Sequence, residues 1–78
     1  MATKVEKKRL TWCGPAPATC DLCGRSITSA FVDGKTTRGL WGNMCSICHA
    51  LHGVGLGVGR GQRYERDEVD GRYVKVAG

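Results

Sequence analysis

Aromatic side chains are scarce in this 78-residue chain, which has two tryptophans, two tyrosines and one phenylalanine beside twelve glycines. A chain of this size and composition buries too little apolar surface to fold on a hydrophobic core alone. We therefore expect at most one small domain, held together by some further constraint. The five cysteines are the obvious source of that constraint.

Long apolar runs are missing as well. The N-terminal stretch MATKVEKKRL has no apolar segment of signal-peptide length, and no later stretch approaches a membrane span. The sequence thus predicts a protein of the reducing cytoplasm. In that compartment, an odd number of cysteines arranged mainly in pairs favours a metal over disulfide bonds.

The cysteine pattern consists of two Cys-x-x-Cys pairs, Cys20 with Cys23 and Cys45 with Cys48, at a spacing typical of four-cysteine zinc sites. Each pair places two sulfurs on one side of a tight turn or helix start. Four thiolates complete a tetrahedron and leave no open position for a substrate, so we expect one structural Zn2+. Iron in a rubredoxin-like centre is the alternative, because it accepts the same four-sulfur geometry.

The segment CSICH also matches the c-type haem attachment pattern, through Cys45, Cys48 and His49. Haem attachment requires export, and no export signal is visible. The zinc interpretation is also more economical, because it accounts for both cysteine pairs.

Three further residues carry ligand chemistry but no complete pattern. Cys13 precedes Cys20 across two prolines and is interpreted as a free, partly buried thiol. His49 and His52 are interpreted as exposed polar residues at a helix end. Together with Cys13 they would form a second site only if the fold brought them together.

The remaining patterns predict a small zinc-stabilised α+β fold with two short β-hairpins and one short helix. Asp33-Gly34 is typical of a two-residue hairpin turn, and we expect Val32 to pair with Lys35 across it. That register gathers three side chains on one face as a small core: Ile27, Phe31 and Leu40. Trp41 falls on the opposite face.

The helix is expected after the second strand of this hairpin. Asn43 is a suitable cap, Ile47 and Leu51 lie four residues apart on one stripe, and Gly53 is a natural terminator. A second hairpin is predicted around the turn Asp70-Gly71.

The segment HGVGLGVGRGQ places glycine at every second position from Gly53 to Gly61. It fails the dinucleotide-binding pattern at each possible start and lacks the P-loop lysine. Strict alternation favours a one-faced strand with Val54, Leu56 and Val58 on its filled face. A flexible linker, or a recognition surface with Arg60 and Arg63, is the alternative.

These patterns divide the chain into two parts. Residues 1–19 form a basic, extended arm, and residues 20–78 form one zinc-binding domain. Within that domain, residues 20–53 hold the two cysteine pairs, the hairpin and the helix, and residues 54–78 hold the glycine-alternating strand and the C-terminal hairpin.

The order of knuckle, hairpin and helix-borne cysteine pair resembles treble-clef and zinc-ribbon modules. MCSICHALHG looks like the second knuckle of zinc-containing HNH nucleases, which carry a catalytic histidine on the preceding hairpin. No histidine precedes His49 in this chain, so the general base is absent. The resemblance implies the fold without the activity, and we expect no enzyme.

Residues 20–78 also resemble short, uncharacterised zinc-knuckle proteins of tailed bacteriophages and prophages. The resemblance rests on CDLCG, FVDGKT, GLWGNMCSICH, GVGLGVGRGQRYE and DGRYVKV. It implies a phage-encoded protein of the host bacterial cytoplasm.

The charge of +5 is modest and does not by itself identify a partner. Zinc knuckles with a basic arm commonly bind nucleic acid, and by that resemblance we expect binding to DNA or RNA through a basic surface. The candidate phosphate contacts are Lys4, Lys7, Lys8, Arg9, Arg25, Lys35, Arg38, Arg60 and Arg63. Trp12 or Trp41 would stack on a base. The alternative is a protein-interaction module that docks on a host or virion protein through its sheet edges. Neither function involves a membrane or a small-molecule substrate.

Overall fold

The fold, taken from a computed structural model that describes residues 10–78, is an antiparallel sheet of four strands with one helix. Strand β1 is Ala30–Lys35, β2 is Trp41–Met44, β3 is Gly61–Arg66 and β4 is Tyr73–Ala77, in the spatial order β2-β1-β3-β4. Helix α1, Ser46–His52, follows β2 and packs against β1 and β2. The predicted α+β class and the single short helix are confirmed.

The first hairpin turns later than the sequence predicts. Asp33-Gly34 lies inside β1, and Val32 pairs with Met44 instead of Lys35. The turn uses residues 36–40, where the Thr36 N–H donates to the Leu40 carbonyl over 2.8 Å and Gly39 has a φ of +90°. Gly39, with its left-handed backbone, is therefore the glycine of this turn, in place of the predicted Gly34.

Gly34 serves close packing instead of a turn. It pairs with Gly42 on one side and Gly61 on the other. A Cβ at Gly34 would lie 3.0 Å from the Arg60 carbonyl oxygen and 3.3 Å from the Gly61 Cα. Neighbouring backbones occupy the space that a side chain would need.

The glycine-alternating segment is a loop and not the predicted one-faced strand. Gly55, Gly57 and Gly59 all have positive φ, and Val58 is 94% exposed. The loop turns back at Gly57, whose N–H donates to the Gly61 carbonyl over 2.8 Å. Alternating glycines in the left-handed region bend a chain that alternating side chains would have kept extended.

The core has two parts on opposite faces of the sheet. Phe31 and Val32 are successive residues of β1 and point to opposite faces, and Val32 pairs with Met44, which lies in the second part. One part contains Ile27, Phe31 and Tyr73, with Trp12 and Tyr64 packed against it. The other contains the following three residues: Cys20, Met44 and Cys48. Leu40, predicted in the core, is 70% exposed because the turn carries it away from Phe31.

The first residues that the structure describes pack on β4. Thr11 pairs with Val74, and the Trp12 N–H donates to the Tyr73 carbonyl over 2.9 Å. Part of the segment predicted to be an arm thus extends the sheet beyond β4. The predicted hairpin around Asp70-Gly71 is confirmed by the pairing of β3 with β4. The domain limits stay a prediction.

Candidate metal centre

The first cysteine pair lies on a tight turn between two short extended segments. Thr19 and Ser26 are bridged, and the Cys20 N–H donates to the Arg25 carbonyl over 2.8 Å. Gly24, with a φ of +76°, returns its N–H to the Cys20 carbonyl over 2.9 Å. The Leu22 N–H points at the Cys20 Sγ over 3.4 Å. Backbone donors are therefore aimed at sulfur, as in a cysteine knuckle.

The second pair stands at the start of α1. Cys45 is the N-cap, in place of the predicted Asn43, and its Sγ accepts the Cys48 N–H over 3.5 Å. The helix ends at Gly53 as predicted, and a side chain there would overlap the His49 ring. The cap places Cys45 and the first helical turn places Cys48.

Asp21 links the two cysteine pairs. Its carboxylate accepts the Asn43 N–H over 2.8 Å, and its own N–H donates to the Asn43 carbonyl over 2.9 Å. Asp21 follows Cys20, and Asn43 precedes Cys45 by two residues. This reciprocal contact holds the knuckle against the end of β2. Sequence reasoning missed it, because no local pattern connects residues so far apart along the chain.

The four sulfurs lie close enough to hold one ion. All four Sγ atoms fall within 4.8 Å of one another, and the Cys23 and Cys45 sulfurs are 3.8 Å apart. A tetrahedron with metal–sulfur bonds of about 2.3 Å has sulfur–sulfur edges of about 3.8 Å. A disulfide bond requires about 2.05 Å, and all five cysteines are free. The cluster is thus suited to one metal ion.

The four thiols differ in how far they are buried. Cys20 and Cys48 are buried, Cys45 is half-buried and Cys23 is exposed. Burial acts to raise the pKa of Cys20, but hydrogen bonds from the backbone of Cys45, and from that of Cys23 and Leu22, outweigh it and lower that pKa to about 6. Burial, together with hydrogen bonds to the other three sulfurs, raises the pKa of Cys48 to about 12. Backbone N–H groups that converge on the Cys20 sulfur favour its thiolate form. A cation bound among the four sulfurs would reduce the repulsion between thiolates.

The other predicted ligand candidates do not form a second cluster. Within residues 10–78, the four cysteines are the one group of three or more side chains placed to hold an ion. Cys13 is exposed and does not belong to this group. The His49 Nε2 lies 3.2 Å from the Gly55 carbonyl oxygen. The prediction that His49 is exposed is wrong, because His49 is half-buried where this contact joins the glycine loop to the helix.

The predicted basic residues are only partly described. Lys4, Lys7, Lys8 and Arg9 lie outside the described residues. Among residues 10–78, the one ion pair joins the Arg63 Nε to Glu65 over 3.2 Å, and the other Arg63 nitrogen donates to the Ser46 hydroxyl over 3.0 Å. The remaining predicted cations have no acidic partner in this part of the chain: Arg25, Lys35, Arg38 and Arg60.

Comparison with models of protein families, with curated proteins and with solved structures finds no match. Across the described residues, no helix has the length and hydrophobicity needed to cross a bilayer. The cysteine cluster and the surface around it are therefore the features that bear on function.

Proposed function

We propose that this chain is a non-catalytic domain built around one structural zinc ion, and that it binds nucleic acid through its basic surface. The four-cysteine cluster is the observation that carries the proposal. A treble-clef architecture, a phage origin and a place in the host cytoplasm belong to the same proposal and rest on the resemblance described above.

Zinc or iron fits the four sulfurs better than magnesium or calcium, and we propose zinc. Soft thiolates with no oxygen or nitrogen ligand select zinc or iron over magnesium and calcium. Four protein ligands leave no position for water, so the ion would contribute folding energy and no Lewis-acid chemistry. This closed set of ligands supports the proposal that the ion itself has a structural and not a catalytic role.

Metal analysis tests the zinc assignment. Protein purified without added metal should contain about one zinc per chain, and a strong chelator should abolish its cooperative thermal unfolding, because metal binding stabilises the folded state. Cys20→Ser with Cys48→Ser should lose the zinc, whereas Cys13→Ser should keep it. A folded chain without metal would contradict the proposal, and one iron per chain would replace zinc by a rubredoxin-like centre.

The charge distribution supports an anionic partner. Residues 20–63 contain five Lys and Arg against two Asp, whereas four of the seven acidic residues fall within residues 65–70. Of the two Asp, the Asp21 carboxylate accepts the Asn43 N–H, and burial raises the pKa of Asp33. A divalent ion with four thiolates would carry a charge of −2, which leaves a small net positive charge on this part of the chain.

Salt dependence tests nucleic-acid binding. The affinity of the zinc-loaded protein for a labelled oligonucleotide should fall about tenfold or more between about 50 and 200 mM salt, because bound phosphates release their counterions. Arg25→Gln with Arg60→Gln should weaken binding and flatten this dependence, whereas Arg72→Gln, near the acidic turn, should change little. Fluorescence anisotropy measures both, and affinity that does not respond to salt would refute this half of the proposal.

A further inference from the structure

A groove of about 430 Å³ lies between the first cysteine knuckle, the turn that joins β1 to β2, and the end of α1. Leu22 forms one side, Leu40 and Trp41 form the other, and His52 lies at the helix end. Hydrogen bonds fix two of its walls, because Asp21 is joined to Asn43 and the Thr37 N–H donates to the His52 carbonyl over 2.8 Å. The groove is therefore a preformed feature of the fold.

The apolar side chains of this groove are unusually exposed. Leu22 is 45% exposed, Leu40 70% and Trp41 51%. Single exposed apolar residues are common on protein surfaces, but several that line one groove beside a polar rim indicate a binding site.

In the described part of the chain, one cation that lines the groove is free to contact an anion. Arg38 lines it and has no acidic partner among residues 10–78. Asp21 is its one acidic residue, and the Asn43 N–H already occupies that carboxylate. Lys35 pairs with Trp41 across the strands, so both side chains project from the same face of the sheet. A ligand in the groove therefore meets the Trp41 ring and the Arg38 guanidinium, and Lys35 lies next to Trp41 on the same face of the sheet.

The two tryptophans differ in what they can contact. Trp12 meets Phe31 and Tyr64 edge to face, with ring centroids 5.1 and 5.2 Å apart, and its indole N–H donates to the Pro15 carbonyl over 3.1 Å. Trp12 is therefore part of the core. Trp41 lies in the groove, and no ring contact with another aromatic side chain in the described chain covers it.

We infer that this groove holds one unpaired nucleotide of a single strand, with the base stacked on Trp41 and the adjoining phosphate on Arg38. The inference rests on the proposed nucleic-acid binding and specifies its substrate as single-stranded. A paired base in a duplex has both faces stacked and cannot enter the groove, whereas an unpaired base offers a free π-face.

The test compares three variants of Trp41 in the zinc-loaded protein by anisotropy, with a labelled single strand of about ten nucleotides and the same strand in a duplex. Trp41→Leu and Trp41→Ala should each weaken single-strand binding about tenfold, because both remove the stacking surface. Trp41→Phe should retain most of the affinity. Leu51→Ala, which removes an exposed apolar side chain outside the groove, should bind like the wild type.

Zinc content and thermal unfolding of each variant verify that the fold is intact. Wild-type affinity in Trp41→Leu would overturn the inference, since leucine would satisfy an apolar protein segment but not a base. Equal, salt-dependent binding of single strand and duplex that no Trp41 variant changes would also overturn it, while leaving the proposed function standing. Failure of the wild type to bind either form would refute both.

Discussion

At the scale of single residues, glycine has two different uses in this chain. Gly39 and Gly71 have positive φ and shape the turns that precede β2 and β4. Gly34 and Gly61 have extended backbones and face each other across two strands, where a Cβ on Gly61 would also lie 3.1 Å from the Gly55 carbonyl oxygen. The glycine loop therefore packs over Gly34 and Gly61, two paired positions of the sheet that have no side chain.

Gly34→Ala should destabilise the zinc-loaded protein by about 1–3 kcal/mol, because the added methyl group meets fixed backbone atoms at 3.0 to 3.3 Å. Lys35→Ala, one position along the same strand and on the other face, is the matched control and should cost less. Urea unfolding measures both. Equal stability of Gly34→Ala and the wild type would show that the loop can move away from the sheet.

At the scale of elements, the metal cluster depends on how the first knuckle is held against β2. The knuckle supplies Cys20 and Cys23, while the end of β2 leads into the helix cap at Cys45. Asp21 is the side chain that joins these elements through Asn43. Residues around the ligands orient them and tune the affinity of a metal site.

Asp21→Ala should weaken zinc binding about tenfold, because the Asn43 N–H loses its acceptor and the knuckle is less well oriented. Asp21→Asn retains an acceptor oxygen and should lie close to the wild type. Competition against a chromophoric chelator gives the affinities, with Glu68→Gln as a control at an exposed acid between β3 and β4. An unchanged zinc affinity in Asp21→Ala would contradict this prediction, because the knuckle would then be oriented without the contact between Asp21 and Asn43.

The elements that local residues specify were predictable. The helix end at Gly53 and the hairpin at Asp70-Gly71 depend on residues within a few positions of each other, and both are confirmed. The turn of the first hairpin lies later than predicted, because Asp33-Gly34 is compatible with a turn but does not require one. In this fold, β1 continues through that pair, since Gly34 must fit between two neighbouring strands.

At the scale of the whole molecule, two small clusters replace one large core. The aromatic cluster around Phe31 fills one face of the sheet, and Met44 with the buried cysteines fills the other. The scarcity of aromatic residues predicted that an apolar core would not suffice. The second cluster has few members besides the cysteines themselves, so a bound ion would supply cohesion that side-chain packing cannot.

The surface was less predictable than the cysteine cluster. Composition gives the total charge, but it does not give the partners of each cation. Arg63 contacts Glu65 two residues along β3, and it also donates to Ser46 of α1, a contact that only the tertiary structure creates. Similarly, the sequence offered Trp12 and Trp41 equally for stacking. The fold buries the first against Phe31 and leaves the second in an open groove.

By itself, the sequence determined which residues can share a metal ion, because the spacing within each Cys-x-x-Cys pair fixes two sulfurs on one local turn. Tertiary structure alone decided what the glycines do. A glycine that permits a positive φ and a glycine that admits a neighbouring backbone are the same residue in a sequence. The fold decides between them, because the first use depends on the backbone conformation at the glycine and the second on the atoms that lie beside the missing side chain, as at Gly34 and Gly61.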